Sequence, residues 1–135
     1  MIKTLTIQTP GQGLHEFTNQ VREVVDQCLA PEGLCTLFIQ HTSASMTIQE
    51  NADPSARRDL EDWMCRHVPE DDPNYTHTME GPDDMPSHIK AAITSTSLSI
   101  PIIDGELALG TWQGIFLWEH RTSPKNRRVI VHISA

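Results

Sequence analysis

Between residues 41 and 88 the chain gathers four of its seven histidines, His41, His67, His77 and His88, among Asn, Asp, Glu, Thr and Ser side chains. An imidazole can ligate a divalent cation or move a proton near neutral pH, and neighbouring acids and amides can orient it. His41 ends an apolar run, His77 lies in a polar stretch and His88 stands near a helix start. Each would arrive from a different element, so together they could supply three protein ligands and leave a coordination position for water. No HExxH or CxxH spacing holds two of them on one turn, and ordinary hydrogen-bonding histidines stay open as the alternative. His88 has a second available role as a neutral base, because amide donors at a helix start disfavour the protonated ring. His15, His67, His120 and His132 read as structural.

Other side chains could join this chemistry. Asn51 and Asp53 stand just before Pro54, where Asp53 is suited to cap a helix; the functional alternative is hydrogen bonding to a substrate or to water on a cation. Asp83 and Asp84 could take a hard cation through oxygen, against the plainer reading of a solvated acidic pair. Arg57 and Arg58, and Lys125 with Arg127 and Arg128, read as solvated surface or as a phosphate clamp. In GTWQG, Trp112 and Gln113 stand between Gly110 and Gly114, which suits either core packing or a heteroaromatic ligand stacked beside Gln113. The chain has no G-x-S-x-G, GxxxxGK[ST] or GxGxxG.

The elements that must position these groups follow from periodicity and punctuation. Ile2 to Thr9 reads as a strand with Leu5 and Ile7 on one face, interrupted by Pro10, Gly11 and Gly13. A helix spans Glu16 to Leu29, with Phe17, Val21, Val24, Val25 and Cys28 on one stripe. Leu34 to His41 and Thr42 to Gln49 read as a hairpin or bent pair of strands. A second helix, capped by Asp53, buries Ala56, Leu60, Trp63 and Met64. Val68 to Pro86 is a long loop, and a short helix begins near Ser87. Strands follow at Ser97 to Ile103, Leu107 to Glu119 and Arg128 to Ser134, with turns at Asp104-Gly105 and through Pro124. Trp112 and Trp118, six residues apart on one such strand, would face the same side. The fold class is α+β, a single domain with a mostly antiparallel sheet or sandwich and inserted helices.

Composition narrows the function classes. The 135 residues carry a formal charge of -8, so general attraction to nucleic acid or to an anionic membrane is not expected. Three cysteines without a CxxC spacing suggest reduced, core-filling thiols in a cytoplasmic protein. There is no apolar run long enough for a membrane span, and the amino terminus does not read as a signal peptide. An apolar fraction of 38% is low for a monomer of this size, which favours an oligomer.

HTSASMTIQENADPSARRDLE and THTMEGPDDMPSHIKAAITSTSLSIPIIDGELALGTWQGIFLWEH closely resemble the YjbQ family, also described as secondary thiamine-phosphate synthase enzymes. Ser97-x-x-Ile100-x-Ile102-x-x-Gly105, continuing to Gly110-Thr111-Trp112-Gln113-x-Ile115, carries the family signature. The resemblance implies a YjbQ-like α+β fold, a homotrimer and a histidine cleft holding a divalent metal, zinc or magnesium. In it His41, His77 and His88 become metal ligands, and Asn51 and Asp53 polar site residues. The activity it implies is weak thiamine-phosphate synthesis, joining a pyrimidine methyl diphosphate to a thiazole phosphate with release of pyrophosphate. A metal-dependent hydrolase of a small phosphorylated or amide metabolite and a non-enzymatic trimer binding a metal or small ligand stay open beside it. MEGPDDMPSH, where many relatives carry a shorter loop, bears on how a substrate reaches the cleft.

Overall fold

The computed structural model describes residues 1–135. Eight strands and three helices run in the order β1 (Ile2–Thr9), β2 (Gly13–Glu16), α1 (Thr18–Cys28), β3 (Glu32–Ile39), β4 (Ala44–Glu50), α2 (Pro54–His67), α3 (Asp84–Ala92), β5 (Ser97–Ile103), β6 (Glu106–Leu107), β7 (Gln113–Glu119) and β8 (Lys125–Ser134). All pairings are antiparallel: a five-stranded sheet ordered β1-β8-β3-β5-β6 and a three-stranded sheet ordered β2-β7-β4. This is the α+β architecture expected from the sequence.

Between the sheets lies the main core. Alternation along β4 turns Ala44 and Met46 into it, where they meet Ile115 and Leu117 from β7 and Cys35, Leu37, Val129 and Val131 from the larger sheet. The α1 stripe of Val21, Val24 and Val25 enters the same core, and each such buried side chain contributes about 1.5–3 kcal/mol. A second cluster, Leu14, Met64, Val68, Phe116 and Trp118, covers the outer face of the smaller sheet beneath α2, with Ile89 of α3 packed against it.

Several expectations change. β3 and β4 are not a hairpin, because they belong to different sheets; the intervening Gln40 to Ser43 crosses the rim of the sandwich, where Gln40 N–H bonds Arg128 O at 3.1 Å and His120 N–H bonds Ser43 O at 3.3 Å. Gly13–Glu16 is a strand despite its glycine, since pairing with β7 outweighs local preference. α3 begins at Asp84, ahead of Pro86, whose missing N–H costs nothing in a first helical turn. Its earlier start puts His88 one turn inside the helix. Trp63 is 48% exposed instead of buried, so α2 anchors mainly through Met64. The single strand read over Leu107 to Glu119 is broken by a turn, in which Gln113 N–H bonds Gly110 O at 3.1 Å. Trp112 therefore lies off the strand, 63% exposed, while Trp118 is buried.

Candidate metal centre

His77, Glu80, Asp84 and His88 present ligand atoms that all lie within 4.8 Å of one another. Asp84 and His88 are four residues apart on α3, the spacing that stacks side chains on one helix face. His77 and Glu80 come from the preceding loop, so a twelve-residue segment supplies the whole set. The His77 Nε2 lies 2.9 Å from Glu80 Oε2 and 2.7 Å from Asp84 Oδ2, and His88 Nε2 lies 3.1 Å from the same Asp84 oxygen. Asp84 is buried, His88 half-buried, and His77 and Glu80 exposed, which leaves the group open at the protein surface.

The other nitrogen of His88 sets its chemistry. Nδ1 lies 3.2 Å from Thr42 O, and a carbonyl can only accept, so Nδ1 carries a proton. In a neutral ring Nε2 would turn a lone pair toward the Asp84 oxygen, whereas in a protonated ring it donates to that oxygen as an ion pair. That contact is favourable only with a proton or a cation between the two atoms, and the Nδ1–H to carbonyl bond is the usual support of a ligating histidine. His77 is raised above the ordinary imidazole range, first by its hydrogen bond to Asp84, with burial opposing and the nearby Glu80 charge adding. Burial pushes the Asp84 carboxyl up, but the His77 hydrogen bond and the charges of His88 and Arg121 outweigh it and hold the group below its usual range.

Arg121 holds this arrangement in place. Its Nε donates to Asp83 Oδ2 at 3.0 Å, its Nη1 to Asp84 Oδ1 and its Nη2 to Glu80 O at 3.0 Å, which ties the ligand-bearing loop to the start of α3. Thr122 N–H also donates to Asp83 at 2.9 Å. Both aspartates, read from sequence as a solvated pair or as oxygen ligands, are thus buried, and Asp83 bonds Arg121 and Thr122 and stands outside the four-residue group.

His41 stands on the same rim but outside the four-ligand group. Its Nδ1 accepts Ser43 N–H at 3.0 Å and lies 2.9 Å from Ser43 Oγ, so the proton of the neutral ring resides on Nε2. Such a ring is a hydrogen-bond donor; as a neutral ligand it would have to turn over. Burial and then the Arg127 charge hold it below the ordinary imidazole range. Arg127 donates to Ser43 Oγ at 2.9 Å and forms a fully buried ion pair with Glu119, a role quite unlike the solvated surface expected for it.

The remaining expected site residues gather elsewhere. Asn51 Nδ2 donates to Glu16 Oε2 at 3.1 Å, and its N–H bonds Trp112 O at 3.0 Å. Asp53 caps α2 through Ser55 N–H at 2.9 Å. Gln113 Oε1 accepts Gly110 N–H at 2.7 Å, and Gly114 gives its close approach to Glu16 and Asn51. These four lie at the Glu50–Gln113 end of the β4–β7 pair, whereas His41 and His120 flank its Ala44–Glu119 end. Six strand steps separate the two ends, about 20 Å. Arg57 sits between them over the Phe116 ring at 5.3 Å, and Arg58 is exposed on α2. One chain therefore brings His77 and His88 together but does not bring Asn51, Asp53, Trp112 or Gln113 to them.

Glu80, Arg121 and the Glu119–Arg127 pair were absent from the sequence-based site. The Asp84–His88 helical spacing was the available signal, hidden by reading Pro86 as part of a loop.

The family model described as UPF0047 protein YjbQ-like matches residues 3–135. The chain is 54% identical to UPF0047 protein sll1880 of Synechocystis over 96% of its length and 88% of the relative's, and 46% identical to UPF0047 protein YjbQ of Escherichia coli O157:H7 over 95% and 93%. Among solved structures, a YjbQ/UPF0047 family protein from Clostridium acetobutylicum superposes with a TM-score of 0.85 at 36% identity, covering 99% of each chain. A conserved hypothetical protein, TT1486, from Thermus thermophilus gives 0.87 at 32%, covering 98% and 99%. With the sequence and the fold agreeing over nearly the whole chain, this protein belongs to the YjbQ-like UPF0047 family.

Proposed function

We propose that this chain is a metal-dependent protein acting on a small phosphorylated metabolite, with hydrolysis as its chemistry. The observation that carries this reading is the convergence of two imidazole nitrogens and two carboxylates at an open surface, with His88 Nε2 and Asp84 Oδ2 facing each other so that either a proton or a divalent cation fits between them. A mixed nitrogen and oxygen donor set suits zinc or another late divalent ion better than magnesium, which favours oxygen. When bound, such an ion polarises a substrate oxygen and lowers the pKa of coordinated water toward neutrality. Arg121 orients Asp84, Thr42 O fixes the His88 tautomer, and His41 offers an Nε2–H donor on the same rim.

Thiamine-phosphate transfer would need to hold two phosphorylated substrates at once, and Arg57 and Arg58, the residues expected to clamp phosphate, form no ion pair with the four ligand side chains. Hydrolysis makes the smaller demand on the residues present. Metal analysis of purified protein, followed by a screen of phosphoesters alongside the two thiamine precursors, tests the reading. Product from a phosphoester after zinc loading supports it; a protein that takes up no divalent ion, or that turns over only the thiamine precursors, overturns it.

A trimeric assembly would reconcile the divided site, by setting the Asn51 and Trp112 end of one copy against the histidine end of the next. Exposed Trp112, Leu34 and Phe38 supply apolar surface for such a contact. Light scattering that found a monomer with full activity would remove this part of the reading.

A further inference from the structure

Lys90 follows His88 by two residues, so its side chain leaves α3 turned roughly 200° away from the histidines. It enters a pocket of about 240 Å³ bounded by α2, α3 and the edge of the smaller sheet, whose walls include Gln12, Glu61, Asp62, Cys65, Lys90 and His120. This volume is smaller than that of typical drug-sized ligand sites, which begin at about 300 Å³.

Two polar groups in these walls lack partners inside the chain. Lys90 is 3% exposed and takes part in none of the chain's ion pairs. His120 is 1% exposed; its Nε2 shares a hydrogen bond with Ser45 Oγ at 2.9 Å, and its Nδ1 has no partner. The Lys90 ammonium reaches solvent at the pocket with no counter-charge beside it, and the unpaired buried ring nitrogen of His120 carries a desolvation cost. Across the pocket stand the acids of α2. One Glu61 oxygen accepts Leu14 N–H at 2.8 Å, and neither Glu61 nor Asp62 comes within ion-pair distance of Lys90.

One wall thus presents a cation and the other two carboxylates, with a gap between them. A simple anion would satisfy Lys90 but meet two negative charges, and a simple cation would leave Lys90 unpaired. An occupant with opposite charges a few bonds apart matches both walls. We propose that this pocket binds a small zwitterion of the amino-acid type, its carboxylate on Lys90 Nζ and its ammonium toward Glu61 and Asp62. Such binding is independent of the metal centre, which lies on another face of α3.

The test is a nuclear magnetic resonance titration of the chelator-treated full chain with alanine, acetate and methylamine, following the His120 ring and the Trp118 indole. Alanine should give saturable shifts, with acetate and methylamine at least about tenfold weaker, since each forms only one of the two charged contacts. Lys90→Met should abolish the alanine response with the circular dichroism spectrum intact, while Asp84→Asn should leave it unchanged. Asp62→Asn, a change at an exposed position, should weaken alanine but not acetate, and it keeps the test open if Lys90→Met does not fold. Absence of saturable shifts with alanine, an equal response from acetate, or an undiminished alanine response in Lys90→Met or Asp62→Asn would overturn the proposal. So would a lower sedimentation coefficient for Lys90→Met, because the pocket would then be filled by a second copy.

Discussion

Asp84 and His88 face each other across one turn of α3, Oδ2 to Nε2 at 3.1 Å, while the far side of the His88 ring donates to Thr42 O. Arg121 holds the carboxylate from one side and Thr42 O holds the ring from the other. Asp84→Asn keeps the shape but removes the charge, and its amide nitrogen cannot serve as a ligand. Zinc affinity measured by competition with a chromophoric chelator should fall by at least about 100-fold. An unchanged affinity would place the cation elsewhere.

His41 separates a donor from a ligand. With Nδ1 already accepting from Ser43, the ring acts through Nε2–H, so His41→Gln should retain zinc affinity within about threefold while lowering turnover by about tenfold or more. Competition titration and steady-state kinetics report the two effects separately. A collapse of zinc affinity would instead make His41 a ligand, as the family resemblance implies.

The Glu119–Arg127 pair is a stability element beneath His41. Both side chains are buried, and Glu119 also accepts from Thr9 Oγ1 at 2.7 Å and Arg121 N–H at 3.1 Å. Arg127→Met leaves a buried carboxylate without its counter-charge, a loss on the order of 3–5 kcal/mol. Urea unfolding should show this as a lower midpoint, and replacing both partners with apolar residues should recover part of it.

Acid sensitivity should begin at His120. Burial, with the Lys90 charge adding, pushes this imidazole from 6.5 down to about 3. The folded ring stays neutral while the unfolded ring protonates near 6.5, so unfolding takes up a proton and stability falls as pH drops between these values. The linked loss is on the order of 4 kcal/mol by about pH 3. Urea midpoints measured from about pH 7.5 down to about 4.5 should decline well above the carboxylate range, and His120→Gln should flatten that part of the curve.

Alternation and punctuation were enough to place most elements. Leu5 and Ile7 marked one face of β1, the valines of α1 marked its buried stripe, and Asp53-Pro54 marked the start of α2 through the chemistry of a helix cap. His77 and His88 were legible as candidate ligands because an imidazole in polar surroundings carries its chemistry in its own side chain. Which partners they meet was a different matter. Asp83 and Asp84 read as a solvated pair or as oxygen ligands, and Arg121, more than thirty residues later, buries both by tying the loop to the start of α3. Arg127 looked like surface charge because its counter-ion, Glu119, reaches it only after β7 and β8 enter different sheets. β4 runs between His41 and Asn51 and separates them by its own length. Local sequence determines which residues can form a strand, a cap or a ligand, since those properties depend on near neighbours. Which ligands converge, which charges are buried and which tautomer a ring adopts were decided only when distant segments met, because hydrogen-bond direction and desolvation depend on the neighbours that tertiary packing supplies.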